Sequence, residues 1–387
     1  MTASNPPIMT RRRLIATTAT IGAASAVGIV TPGAMTDASA ADGADGPGDP
    51  RSGGLVDAVL AALRKHRLVA IGEGGTHGLQ EHHDALTMLL TDPRLPELVD
   101  DVVVEFGNAL YQVTMDRFMA GLPVDNVDLR PVWRNTTQSP LGTWDMPVFE
   151  QMYRTIRAVN GGLPPNERIR VLLGEPPIDW SKITTLDELN AFRVQRDSNA
   201  ASVVQGEVLK KGRRALICYG AAHVLHWTSQ RPMPPSGLVA RIEQQTGERV
   251  YTFATLTPMS GDPGGLGERL SKYPRRTAIS TAGTWLGDFD AGLVFPAAFR
   301  GADGQPTNLM CGIPLGSVLD AGLYVGQPDQ LTVSRENPAV YLDSAYWAEL
   351  QRRNGLQGGM VDLDSYRQEQ PTRFTPQTIP PSLQCSS

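Results

Sequence analysis

The chain has 387 residues, 41% of them hydrophobic, which is enough for a substantial core in one large domain or two small ones. Its formal charge of −5 excludes a nucleic-acid binder that works by neutralising phosphates. The 39 glycines and 30 prolines stay below the level of a low-complexity chain, and no collagen period, heptad run or fixed-period repeat is present.

Residues 1–40 read as an export address. Arg11, Arg12 and Arg13 stand directly before an uncharged stretch, residues 14–30, which Thr, Ala and Gly make only mildly apolar. Weak hydrophobicity behind paired arginines is the pattern of a Tat signal, handled by the Tat export machinery. A stable membrane anchor needs about 20 strongly apolar residues, so none is expected. Ala38, Ser39 and Ala40 offer a small-x-small cleavage site. Cleavage removes three arginines and one aspartate and leaves a more acidic chain, expected in the periplasm or outside the cell. Three cysteines are not a disulfide scaffold. Cys218 lies in an apolar run and is expected in the core, while pairing of Cys311 with Cys385 stays open.

Residues 41–54 are rich in Gly, Asp, Pro and Ala and suit a flexible linker. Residues 55–65 then carry apolar side chains at helical spacing, and residues 68–72 form a short apolar run ending in glycine. A helical stretch at 84–90 precedes a second β-rich run at 101–106. Further runs fall at 169–173, 215–219 and 250–254, with amphipathic stretches at 148–159 and 192–211 between them. Short apolar strands alternating with helices predict an α/β fold, a mainly parallel central sheet flanked by helices. No linker interrupts residues 55–367, so a single domain is expected. Within it, residues 320–326 read as a late strand and residues 341–347 as part of a closing helix. The tail, 368–387, is rich in Pro, Gln, Ser and Thr and reads as loosely held.

In a parallel α/β sheet the ligand site lies beyond the carboxyl ends of the strands. The notable polar residues gather there. Glu73 and His77 sit in a glycine-rich loop after the first run, with Glu81 four residues on. Glu105 follows Val104, Glu175 and Asp179 follow the third run, and His223 and His226 follow the fourth. A histidine beside carboxylates is held in one tautomer and made more basic, which suits a general base for water. Two His with two Glu are equally a donor set for a divalent metal with one position open. There is no Gly-x-Ser-x-Gly elbow and no His-Glu-x-x-His, so serine-hydrolase and zincin chemistry have no candidate. Glu175 and Asp179 either cap the next helix or belong to the site. His82 and His83 fall on the polar side of a helix and are expected at the surface. Trp133, Trp144 and Trp180 read as wall and core.

Taken in order, these motifs resemble the erythromycin esterase-like proteins. The resemblance runs from Ile71, Gly72, Glu73, Thr76, His77, Gly78 and Glu81 through Val104 and Glu105. It continues in Trp133 and Arg134, Trp144, and the Ile156 to Asn160 stretch, and ends in Arg196, Asp197 and the Gly220 to His223 loop. Gly74 and Gly75 make the Glu-to-His interval one residue longer than in that family, and the fourth strand ends in a less polar motif. The resemblance implies a hydrolase for an ester or amide substrate, small molecule or peptide. His77 would be the general base for water, Glu73 and Glu105 would orient it, and His223 would polarise or protonate the substrate. Arg117 or Arg134 would hold a polar substrate group, with Glu81 and Glu175 as further substrate-binding positions. The wider superfamily includes Tiki-type metalloproteases and haem-binding ChaN proteins. It therefore adds two alternatives, a metal-dependent peptidase or amidase and a haem or ligand binder without turnover.

Overall fold

The computed structural model describes residues 52–140, 144–230, 236–300, 306–368 and 372–385. The export address and the first part of the expected linker, through residue 51, lie outside the described residues.

Eight strands, numbered along the chain, make one sheet: β1 (Ser52–Gly54), β2 (Leu68–Glu73), β3 (Asp101–Asn108), β4 (Arg170–Glu175), β5 (Ala215–Gly220), β6 (Val250–Thr255), β7 (Thr277–Ser280) and β10 (Ala321–Tyr324). Two small pairs stand apart, β8 (Ala298–Arg300) with β9 (Pro306–Asn308) and β11 (Thr332–Val333) with β12 (Thr372–Arg373). The sheet order is β1-β7-β10-β6-β2-β5-β3-β4. From β10 to β4 every neighbouring pair is parallel, whereas β7 runs antiparallel to both β10 and β1. The chain is an α/β protein with a mainly parallel central sheet flanked by helices.

The strands are apolar along their length because both faces of the sheet are covered. In β2, Val69 and Ile71 face one core while Leu68 and Ala70 face the other. β5 repeats this, with Leu216 and Cys218 against Ala215, Ile217 and Tyr219. Helices α1 (Leu55–Lys65), α2 (Gln80–Leu90), α3 (Gln112–Met119) and α4 (Pro147–Gly161) cover the first face. Proline at the first position starts α4, and Val148, Phe149, Met152, Tyr153 and Ile156 form its buried stripe. Helices α6 (Arg196–Val203) and α7 (Leu238–Thr246) cover the second face.

Several boundaries differ from the expected ones. Residues 52–54 of the expected linker pair with β7 as an edge strand. The amphipathic stretch 192–211 is not one helix. Helix α5 (Leu186–Arg193) opens with a capping box between Thr185 and Glu188 and ends before α6 begins at Arg196. A wide π-type turn, Val204–Val208, follows α6, and Gly212 closes the segment in the left-handed region. The late strand is β10, and the closing segment is a short turn of helix before α8 (Ser344–Leu356), which Asp343 caps. The described part of the tail, 372–385, is anchored at three points. Phe374 and Ile379 are buried, and Cys385 is bonded to Cys311. Cys218 is free and buried, as its apolar run predicts. Trp133, Trp144 and Trp180 are all buried. No helix among the described residues is long and apolar enough to cross a membrane.

Candidate functional site

The carboxyl ends of β2, β3, β4 and β5 bring together Glu73, His77, Glu105, Glu175 and His223. Glu73 ends β2 and is buried. Its Oε2 lies 3.0 Å from His77 Nδ1, and its Oε1 accepts from the Leu79 amide at 2.9 Å. The carboxylate thus folds the glycine loop back on itself and turns the outer edge of the His77 ring away. Trp144 packs edge-on against that ring, with centroids 4.7 Å apart. The His77 side chain keeps 29% exposure, and its Cε1–Nε2 edge lies over Gly220, where an added Cβ would stand 3.4 Å from Nε2.

Glu105 reaches the same place from β3. Pairing of β3 with β4 passes from Val104 opposite Leu173 to Asn108 opposite Glu175. Residues 105–107 therefore stand against Gly174 alone, a bulge that re-aims the side chain. Glu105 Oε2 accepts from the Gly220 amide at 2.6 Å, and Oε1 accepts from Arg196 at 2.5 Å and from Gln138 at 3.2 Å. Glycine is required at position 220. A Cβ there would stand 2.9 Å from His77 Cε1 and 3.3 Å from Glu105 Oε2.

His223 completes the cluster. Its Nδ1 is 2.6 Å from Asp197 Oδ1, and its Nε2 is 3.5 Å from Glu105 Oε1. Each histidine is thus anchored at Nδ1 by its own carboxylate, and the Glu105 charge acts on both. Glu175 caps no helix. It accepts from Arg196 Nε at 2.5 Å and from the Thr137 amide and hydroxyl. Asp179 does cap, through the Ser181 amide.

Charge sets the protonation of these groups. Burial by itself lowers the His77 pKa, but the Glu73 hydrogen bond and the Glu105 charge outweigh it and hold it above the ordinary value. His223 is raised in the same way, with burial overcome by Asp197 and Glu105. Burial opposes ionisation of Glu73, Glu105 and Asp197, yet the neighbouring imidazoles, with Arg196 beside Glu105 and Asp197, keep all three below the usual carboxylate range.

His82 and His83 are not at the surface, because the loop turns α2 so that this face meets the sheet. His82 bonds Thr255 Oγ1 at 2.7 Å, and burial brings its pKa down to about 4. His83 packs edge-on against Phe149, with Nε2 3.2 Å from Glu73 Oε1 but without hydrogen-bond alignment. Glu81 is also outside the site. Its carboxylate accepts from the Thr332 amide and holds β11. Arg117 is exposed on α3, next to Asp116, which binds Arg170 at the amino end of β4 and so marks the opposite end of the sheet. Arg134 is buried and engaged by Asp145 and Asp343, with its guanidinium over the Tyr346 ring. It anchors the segment carrying Trp144 and leaves no free face for a substrate group. Arg196 and Asp197 instead hold the site together. The sequence signal for them was the adjacent Arg-Asp pair in the first turn of a helix, ahead of His223.

Behind the histidines, Leu86, Phe106, Trp144, Phe149 and Cys218 line a cavity of about 10 Å³, room for about one water. Burial raises the Cys218 thiol to about 12, which leaves it unreactive. Among the described residues no group of three His, Cys, Asp or Glu is disposed to hold a metal ion. The oxygens of Glu73 and Glu105 already have protein partners, which leaves the His77 and His223 Nε2 atoms as the open donors, fewer than a divalent metal takes from protein at a catalytic site.

No family model and no curated protein matches this chain. Solved structures do. A succinoglycan biosynthesis protein is 9% identical, with a TM-score of 0.48, over 70% of this chain and 90% of its own. A Bacillus cereus protein is 12% identical with a TM-score of 0.43, over 69% of this chain and 92% of its own. The Pasteurella multocida toxin, described as having a thiol-protease-like catalytic triad in its C-terminal region, is 12% identical with a TM-score of 0.35. That likeness covers 52% of this chain and 24% of the toxin chain.

Proposed function

We propose that the protein is an exported hydrolase of the erythromycin esterase-like type, which attacks an ester or amide directly with water. The observation that carries this reading is the pair of histidines, each fixed at Nδ1 by a carboxylate, with Glu105 3.5 Å from His223 Nε2 and close enough for its charge to raise His77 as well. A carboxylate at Nδ1 selects the tautomer and stabilises the imidazolium that forms when Nε2 takes a proton. His77, the more open of the two, removes a proton from water at Nε2. His223 enters protonated and gives its Nε2 proton to the leaving group. Glu105 stands between them and favours the single-proton state of the pair, because its charge is shared by both rings. Arg196 and the Gly220 amide keep Glu105 ionised and still. Cys218 offers no competing nucleophile, since its thiol is buried and raised. The Cys311–Cys385 disulfide supports passage into an oxidising compartment.

A panel of ester and amide probes tests the activity, and its pH profile tests the roles. The rate should rise as His77 loses its proton, above the ordinary histidine range because its pKa is raised. It should fall again as His223 loses its own, giving a bell with both limbs shifted upward. Absence of turnover across the panel, or a flat profile, would rule the mechanism out. Export is tested separately, with Lys at Arg11 and Arg12. Precursor should stay inside the cell, and unchanged export would count against a Tat address.

A further inference from the structure

The loop that carries His77 is held from outside by the C-terminal segment. Val333 bridges to Leu79, the Ser334 amide donates to Gly78 O at 2.8 Å, and β12 pairs with β11 behind them. Phe374 follows β12, is buried, and sets its ring against Gly75. Gln377 Nε2 donates to Gly75 O at 2.5 Å, while Gln377 O accepts from the Ser260 amide. Gly75 has φ +83°, and a Cβ there would meet Thr257 Oγ1 at 2.6 Å and Phe374 at 3.1 Å, so the loop can close only as glycine. Farther along, Asn308 donates to Leu383 O, and Cys385 is bonded to Cys311. Glu73 holds the loop from within, at His77 and Leu79. The carbonyls of Gly75 and Gly78 are held by residues that come 302 and 256 positions later.

We propose that residues 372–385 form a strap that positions His77 through Phe374 and Gln377, and that the Cys311–Cys385 disulfide fastens it. The inference rests on the hydrolase reading for its effect on rate, and on geometry alone for its effect on the loop. Fastening is an oxidation: the two thiols lose two protons and two electrons to a disulfide oxidant, which is itself reduced to two thiols. Phe374 and Gln377 touch neither substrate nor reacting atoms and act through the loop. A fastened tail presents its side chains to Gly75 at high effective concentration, whereas an unfastened one frays as chain ends do.

The test compares the oxidised full chain with chain treated with a thiol reductant, with Cys385→Ser, and with Gln377→Met. The last keeps the packing and removes the donor while the disulfide stays closed. Amide hydrogen exchange of residues 74–79 and an NMR titration of the His77 imidazole report the loop directly, and kcat and KM on an ester probe report its consequence. Reduction should speed exchange of the loop amides at least tenfold and bring the His77 pKa down toward its ordinary value. It should lower kcat about tenfold with KM little changed, while exchange in β2 and β5 stays slow. Gln377→Met should reproduce the loop loosening in oxidised protein. Equal loop exchange and equal His77 titration in all four samples would overturn the strap, whatever the activity. A redox-dependent loop in a chain that hydrolyses nothing would support the strap and overturn only the hydrolase reading.

Discussion

Asparagine at position 77 should lower kcat by roughly 10²–10⁴-fold, the range for losing a well-placed general base. The melting temperature should stay close to wild type, because the ring is partly open and asparagine can keep one hydrogen bond to Glu73. Glu73 keeps the Leu79 amide in the variant, so the buried carboxylate is not stranded. Glu105→Gln should also slow turnover, since a neutral amide does not stabilise the imidazolium forming beside it. Kinetics and thermal melts on the same preparations separate catalysis from support. A histidine that only supports the loop would show lower stability and unchanged activity per folded molecule. A fully active His77→Asn protein would end the case for this mechanism.

The second large effect is on stability. Arg196 is mostly buried and bridges Glu105 and Glu175, with 2.5 Å contacts to each. Methionine there fills similar space and leaves two buried carboxylates without their cation, a loss of about 3–5 kcal/mol. The size of the loss should depend on pH in a defined sense. Arg196 helps hold Glu105 below the ordinary carboxylate range, so the variant's Glu105 takes up its proton at higher pH than wild type does. The penalty is therefore full at neutral pH and shrinks as pH falls. Denaturant melts of wild type and Arg196→Met at neutral and mildly acidic pH read this directly. A gap under about 1 kcal/mol that does not change with pH would show that the bridge is not what holds the strand ends together.

The apolar runs carried the fold almost unaided. Residues 68–72, 101–106, 169–173, 215–219 and 250–254 all became parallel strands, because a strand buried on both faces must be apolar throughout and little else in a soluble chain is. Polar residues at their carboxyl ends then met for a topological reason, since parallel strands deliver every such end to one edge. That is why Glu73, His77, Glu105, Glu175 and His223 were legible without coordinates. His82 and His83 were not, because periodicity gives a helix its faces but not which face turns to the sheet. The arginines failed for a related reason. Arg134 and Arg117 stood near family-like motifs, but a guanidinium reaches its partner across space, and Asp145 and Asp343 claimed the first while the amino end of β4 drew away the second.

What the amino-acid sequence determined by itself was therefore local and periodic: the strands, the glycine loop, and the residue types at the strand ends. What only the tertiary structure decided was partnership at long range. Arg196 between Glu105 and Glu175, Asp197 on His223, and Gln377 on Gly75 join residues 21 to 302 positions apart. Such pairs leave no spacing to read. A charge or a hydrogen-bond donor has one strongest partner in the folded chain, and it is chosen by which elements the sheet order places side by side.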